Sequence, residues 1–122
     1  MIERSTNSND TVLGFKVSDV LSAEDYETVL MPAIEERIAR DGTVKLVLEW
    51  GENFEGWKTK AIIDDAKLCF THWNDFERWA LVGAPKWVGL SAKFFDKISK
   101  GKVKLFKSDE VEQAFAWAQA TS

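Results

Sequence analysis

Histidine and cysteine are nearly missing from this 122-residue sequence: His72 and Cys69 are single examples. One thiol cannot close an internal disulfide, so no covalent staple is expected and a reducing compartment suits the chain. Nor can one imidazole and one thiol supply the four ligands of a tetrahedral zinc site, so no metal is expected. Cys69 and His72 lie three apart and would be neighbours on a helix. Cys69 continues an apolar stripe, however, and the pair reads as a small core side chain beside a boundary imidazole. No apolar run approaches the ~20 residues that span a bilayer. The opening MIERSTNSND turns polar at once and has no apolar signal-peptide core, so a cytoplasmic location is expected. Neither GxGxxG nor a P-loop pattern occurs, and Gly51 and Gly56 are expected to serve turns with positive φ. No cofactor is expected.

Large aromatics, by contrast, are plentiful. Six tryptophans and eight phenylalanines are many for this length, and some are expected to serve contacts other than core packing. Charge is uneven as well. The net value is −4, yet residues 84–107 carry seven lysines (86, 93, 97, 100, 102, 104, 107) against Asp96 alone, so this window is +6 and the remainder −10. Such segregation predicts one face that attracts anions. A solvated helix face beside a lysine-bearing edge strand would give the same pattern.

The chain reads as one domain over residues 1–122. MIERS and TVLGFKV, separated by the turn cluster NSND, predict a strand pair. Ser22 then caps a helix with Tyr26, Val29, Leu30, Ile34 and Ile38 on its apolar stripe and Gly42 just past its end. Pro32 should kink that helix or begin its second segment. TVKLVLEW has the length and β-branched content of a central strand covered on both faces. A helix over about 58–73, the strand FERWALVG, a helix from Pro85 to about 100, the strand KVKLF and a last helix capped by Ser108 complete the order ββαβαβαβα. Alternation of this kind predicts a mostly parallel sheet with the first strand pair antiparallel, and ligands bound outside the carboxyl ends of strands.

This order, together with VKLVLEW, the tryptophan-bearing stretch WGENFEGWKT, FERWALVG followed by Trp87, and KVKLFKSDEVEQAFAWA, resembles STAS domains and, more closely, the SpoIIAA-like family of small bacterial proteins. The family's fold is also compared with lipid-binding CRAL-TRIO domains. The resemblance implies an α/β, STAS-like architecture with a mixed five-stranded sheet and four main helices. One departure is plain. Where SpoIIAA-type antagonists carry a DSxG-like motif with a phosphorylated serine, WGENFEGWKT has none, and Thr59 is the nearest hydroxyl.

No nucleophile–base pair stands out, and Glu49, Glu52 and Glu55 are read as solvated acids of an aromatic loop rather than as an acid–base set, so no enzyme is expected. The helix over 85–100 is the most informative element. At 100° per residue Lys86, Lys93, Lys97 and Lys100 share one narrow side, with Trp87, Leu90, Phe94 and Ile98 on another. Such a helix either seats its apolar side on the sheet or lends it to a membrane interface. The expected function is a non-catalytic module that binds an anionic amphiphile or lipid, or associates peripherally with the inner membrane surface. Its crevice would lie between Trp57 and Trp87. Trp57, Trp87 and Phe94 would give apolar contact and Lys58 and Lys86 would hold the headgroup, while Lys93, Lys97 and Lys100 would face the membrane. The alternative is a STAS-type regulatory module that docks a protein partner, with Thr59 as its phosphorylation site. Nucleic acid is not an expected partner, because the total charge is negative and no recognition motif is present.

Overall fold

The fold is seen in a computed structural model, which describes residues 1–51, 54–57, 75–85 and 102–120, with Trp57 described through its backbone. Five strands form the main sheet: β1 (Ile2–Arg4), β2 (Leu13–Val17), β4 (Val44–Trp50), β6 (Phe76–Val82) and β7 (Lys102–Phe106), in the spatial order β1-β2-β4-β6-β7. β1 runs antiparallel to β2, and every later neighbour is parallel. A small parallel pair, β3 (Val20–Leu21) with β5 (Gly56–Trp57), stands beside it.

Helix α1 (Ala23–Asp25), a π-helical turn (Tyr26–Leu30) and α2 (Met31–Asp41) follow one another without a break. Pro32 accounts for the irregularity. It offers no N–H, and its ring would crowd the carbonyl four residues back. The chain answers with a wider turn, in which the Met31 N–H donates to Tyr26 O five residues earlier, and α2 begins with the proline in its first turn. Gly42 ends α2 in the left-handed region at φ 84°, as its position predicts. Ser22 caps α1 in a full capping box: the Asp25 N–H donates to Ser22 Oγ, and the Ser22 N–H and hydroxyl donate to Asp25 Oδ2.

β4 is buried from both sides, because its alternate side chains feed two different cores. Val44, Leu46 and Leu48 join Leu13, Phe15, Val17 and Leu81 under the helical segment, where Tyr26, Leu30 and Ile34 are buried and Val29 and Ile38 pack at the margin. Val47 points the other way. With Val12, Ala80 and Val82 it meets Ala114, Phe115 and Ala118 of α3 (Val111–Gln119). Gly14 permits this second contact, since a Cβ there would fall 2.5 Å from Phe115 Cζ and 2.8 Å from Phe115 Cε1.

Two expectations are amended. The last helix starts at Val111 rather than under a Ser108 cap: its N-cap is Glu110, which makes no side-chain capping bond because its carboxylate accepts the Lys107 N–H at 2.8 Å. Of the positive-φ glycines, Gly56 is one (φ 132°) and Gly51 is not. The helices expected over 58–73 and 85–100 lie outside the described residues, so the described helical segments are those of residues 23–41 and 111–119. Among the described residues no helix is long and apolar enough to cross a membrane.

Gly14→Ala should destabilise the fold by about 1–3 kcal/mol through overpacking against Phe115, and Phe115→Leu in the same chain should recover part of that loss in urea unfolding. Asp25 titrates below its ordinary value: partial burial raises its pKa, but the hydrogen bonds from the Ser22 N–H and hydroxyl and the Met1 ammonium lower it further. A folded pKa below the unfolded one gives stability that is complete above about pH 4 and is lost as pH falls through the folded value. Asp25→Asn should therefore flatten the acid limb of a stability–pH curve, and an unchanged limb would contradict the assignment.

Candidate functional site

At the carboxyl ends of the parallel strands, on the side carrying α3, a cleft of about 640 Å³ opens. Its floor follows from the strand register, which sets Lys16, Glu49 and Val82 in one row across β2, β4 and β6. Trp50 at the end of β4 and Gly51 after it extend the floor, and Ser108, Asp109 and Val111 close the side from the turn into α3. Gly83 makes that turn possible. Its φ is 70°, its N–H donates to Phe106 O at 2.9 Å, and a Cβ there would approach Ser108 Cβ at 3.3 Å and Trp50 O at 3.4 Å.

The cleft carries mixed charge. Lys16 supplies a cation and Glu49 and Asp109 supply anions, while the positive end of α3 faces the turn without a side-chain cap. Such a lining suits a small polar group. Among the described residues no three acidic, histidine or cysteine side chains converge to hold a metal ion, and Ser108 has no hydrogen-bonded base.

The stretch between β4 and β6 is anchored at its start. The Gly51 N–H donates to Val17 O at 2.8 Å, the Phe54 N–H to Gly51 O at 3.2 Å and the Glu55 N–H to Asp19 O at 2.6 Å, after which Gly56–Trp57 pairs with Val20–Leu21. Phe54 packs against the core. The described start of the expected aromatic loop is thus a segment stitched along residues 17–21. Its acids separate accordingly: Glu49 lines the cleft, whereas Glu55 is exposed beside Asp19.

Of the site residues expected from sequence, Trp57 is placed by its backbone in β5. Lys58, Thr59, Lys86, Trp87, Lys93, Phe94, Lys97 and Lys100 lie outside the described residues. The described end of the lysine-rich window presents Lys102, Lys104 and Lys107 at the surface, with Leu105 39% exposed between them. Sequence reasoning missed Lys16, Trp50, Ser108 and Asp109. A lone cation inside the apolar run VLGFKV was the available signal for Lys16.

With this geometry in view, the SpoIIAA-like family model matches residues 12–119. The chain belongs to the SpoIIAA-like family. The fold is shared with a crystal structure of an uncharacterized protein of the DUF3478 family with a SpoIIAA-like fold from Shewanella loihica PV-4. The two are 25% identical with a TM-score of 0.72, over 97% of this chain and 92% of that one. No curated protein matches the sequence. The SpoIIAA-like assignment spans β2 through α3, and so includes every element that builds the cleft.

Gly83→Ala should cost about 1–2 kcal/mol, the strain of a left-handed alanine, and should lower the thermal midpoint. An unchanged midpoint would show that the turn between Trp50 and Ser108 does not hold the cleft as described.

Proposed function

We propose that this SpoIIAA-like chain is a non-catalytic module that binds an anionic amphiphile, either singly or displayed on a membrane surface. The observation that carries the reading is the segregation of charge: residues 84–107 are +6 in a chain whose remainder is −10. In the described part of that window Lys102, Lys104 and Leu105 reach solvent on β7, and Lys107 just after it. In this reading Trp57, Trp87 and Phe94 contact the apolar part of the ligand, Lys58 and Lys86 meet its headgroup, and Lys93, Lys97 and Lys100 orient the surface.

Magnitudes define what the module needs. A lysine near an anionic leaflet contributes ~1 kcal/mol, so four give ~4 kcal/mol, a Kd of roughly a millimolar. Charge alone therefore holds the chain weakly. Each aromatic side chain transferred from water adds about 1.5–3 kcal/mol, and one or two such rings bring the affinity into the micromolar range.

Cosedimentation with neutral and with anionic vesicles, at low and high salt, tests this. Binding is expected to anionic vesicles only, to fall with salt, and to weaken ~30-fold or more in Lys93→Glu/Lys97→Glu, which removes two ~1 kcal/mol attractions and adds repulsion. Equal binding to both vesicles, or to neither, contradicts the proposal.

A further inference from the structure

At the amino-terminal end of the sheet, the register sets Lys45, Arg78 and Lys102 side by side across β4, β6 and β7 on the face that carries α3. Neighbouring strands are about 4.8 Å apart, and like charges directly opposite one another repel. Part of this is met locally. Lys45 Nζ lies 3.4 Å from Glu77 Oε2 and donates to Gln119 O at 3.3 Å. Arg78 Nη1 donates to Trp117 O at 2.9 Å, and its guanidinium lies 4.9 Å from the centre of the Trp117 ring.

Two of these cations meet no carboxylate among the described residues: none lies within ion-pair distance of Arg78 or Lys102. Arg78 is only 8% exposed, and its Nε–H is buried without an acceptor. A guanidinium taken so far out of water, with a donor unfilled and no counter-charge among the described residues, is unfavourable on both counts. Farther along the same face, Lys104 Nζ lies 5.2 Å from the centre of the Phe106 ring, and Phe106 tilts against Trp117 at 6.0 Å. The margin between β7 and α3 thus has Arg78 buried, the ammonium groups of Lys102 and Lys104 exposed beside it, and the half-buried rings of Phe106 and Trp117 next to them.

We propose that this margin of the sheet binds a phosphate-type oxyanion, held by Lys102 at the surface and by the guanidinium of Arg78 beside it. Arginine's planar fork matches two oxygens of one group, and a neighbouring ammonium neutralises the remaining charge. The carbonyls ending α3 would repel an anion, but those of Trp117 and Gln119 are engaged by Arg78 and Lys45. The oxyanion site uses residues other than those of the amphiphile crevice and does not rest on that reading.

The test is a titration of the full ¹⁵N-labelled chain with inorganic phosphate, against sodium chloride at matched ionic strength. Phosphate should produce saturable shifts at the Trp117 indole N–H and the Arg78 and Lys102 amides that chloride does not. Lys102→Gln should weaken phosphate binding at least ~3-fold, and Arg78→Lys, which keeps the charge but loses the fork, by a similar factor or more. Lys93→Glu/Lys97→Glu should leave it unchanged, which separates this site from the membrane reading. Lys102 is exposed, so its variant decides the matter if Arg78→Lys fails to fold. Identical shifts in the two salts, or unaltered affinity in Lys102→Gln, overturn the proposal. Phenyl phosphate and phosphatidylglycerol vesicles distinguish the source of the oxyanion by competing with inorganic phosphate: competition by either supports the site and names its source, and competition by neither overturns it.

Discussion

A wide sheet face on which one short helix is the described covering element is the constraint from which the surface chemistry of this molecule follows. A nine-residue helix is about 13 Å long and about 10 Å wide with its side chains, whereas five strands extend about 19 Å across. α3 therefore covers only the middle of its face. It gets close because the positions beneath it are small or β-branched: Gly14, Val47, Ala80 and Val82 receive Ala114, Phe115 and Ala118. What remains at the margins is the floor row at the carboxyl ends and the cation row at the amino ends. The strand β7, which no other described element on that face overlies, is left at the side.

The two ends of α3 meet opposite surroundings. Its amino-terminal turn, without a side-chain cap, opens on a cleft with Lys16, Glu49 and Asp109, while its last carbonyls receive hydrogen bonds from Arg78 and Lys45. The favourable dipole contacts explain why Lys45 and Arg78 stand where they do. They do not explain why Lys102 stands beside them, nor why Arg78 is buried with a donor unfilled. That remainder is what an oxyanion would resolve, and it lies on the same strand that carries the described part of the lysine-rich window.

Much of the fold was legible in the residues. The β-branched run VKLVLEW announces a strand buried on both faces, and the spacing of Tyr26, Leu30 and Ile34 announces the helical face that covers it. Turn chemistry was legible at Gly42 and Gly56, which both take a positive φ, 84° and 132°. Other features depend on partners distant in sequence. The π turn at Tyr26–Leu30 is a geometric answer to Pro32, and the pairing of Gly56–Trp57 with Val20–Leu21 joins two segments with no mutual pattern. Ser108 looks like a cap because serine before acids commonly is one, yet the Glu110 carboxylate turns back to the Lys107 N–H and the helix begins later. The site was less legible for the same reason: Lys45, Arg78 and Lys102 are unrelated in sequence and become a row only through register. Membership of the SpoIIAA-like family agrees with the architecture and leaves the choice of ligand to the chemistry of these surfaces.

The central claim is that cations beside half-covered aromatic rings on this face remain open to an outside anion. Amide hydrogen exchange of the full chain, with and without dodecyl phosphate below its micelle concentration, tests it most directly. The account predicts slowed exchange in β7 and in the last turn of α3, with the amides of β1 and β2 unaffected. Uniform slowing, or protection confined to the cleft around Lys16 and Asp109, would contradict it.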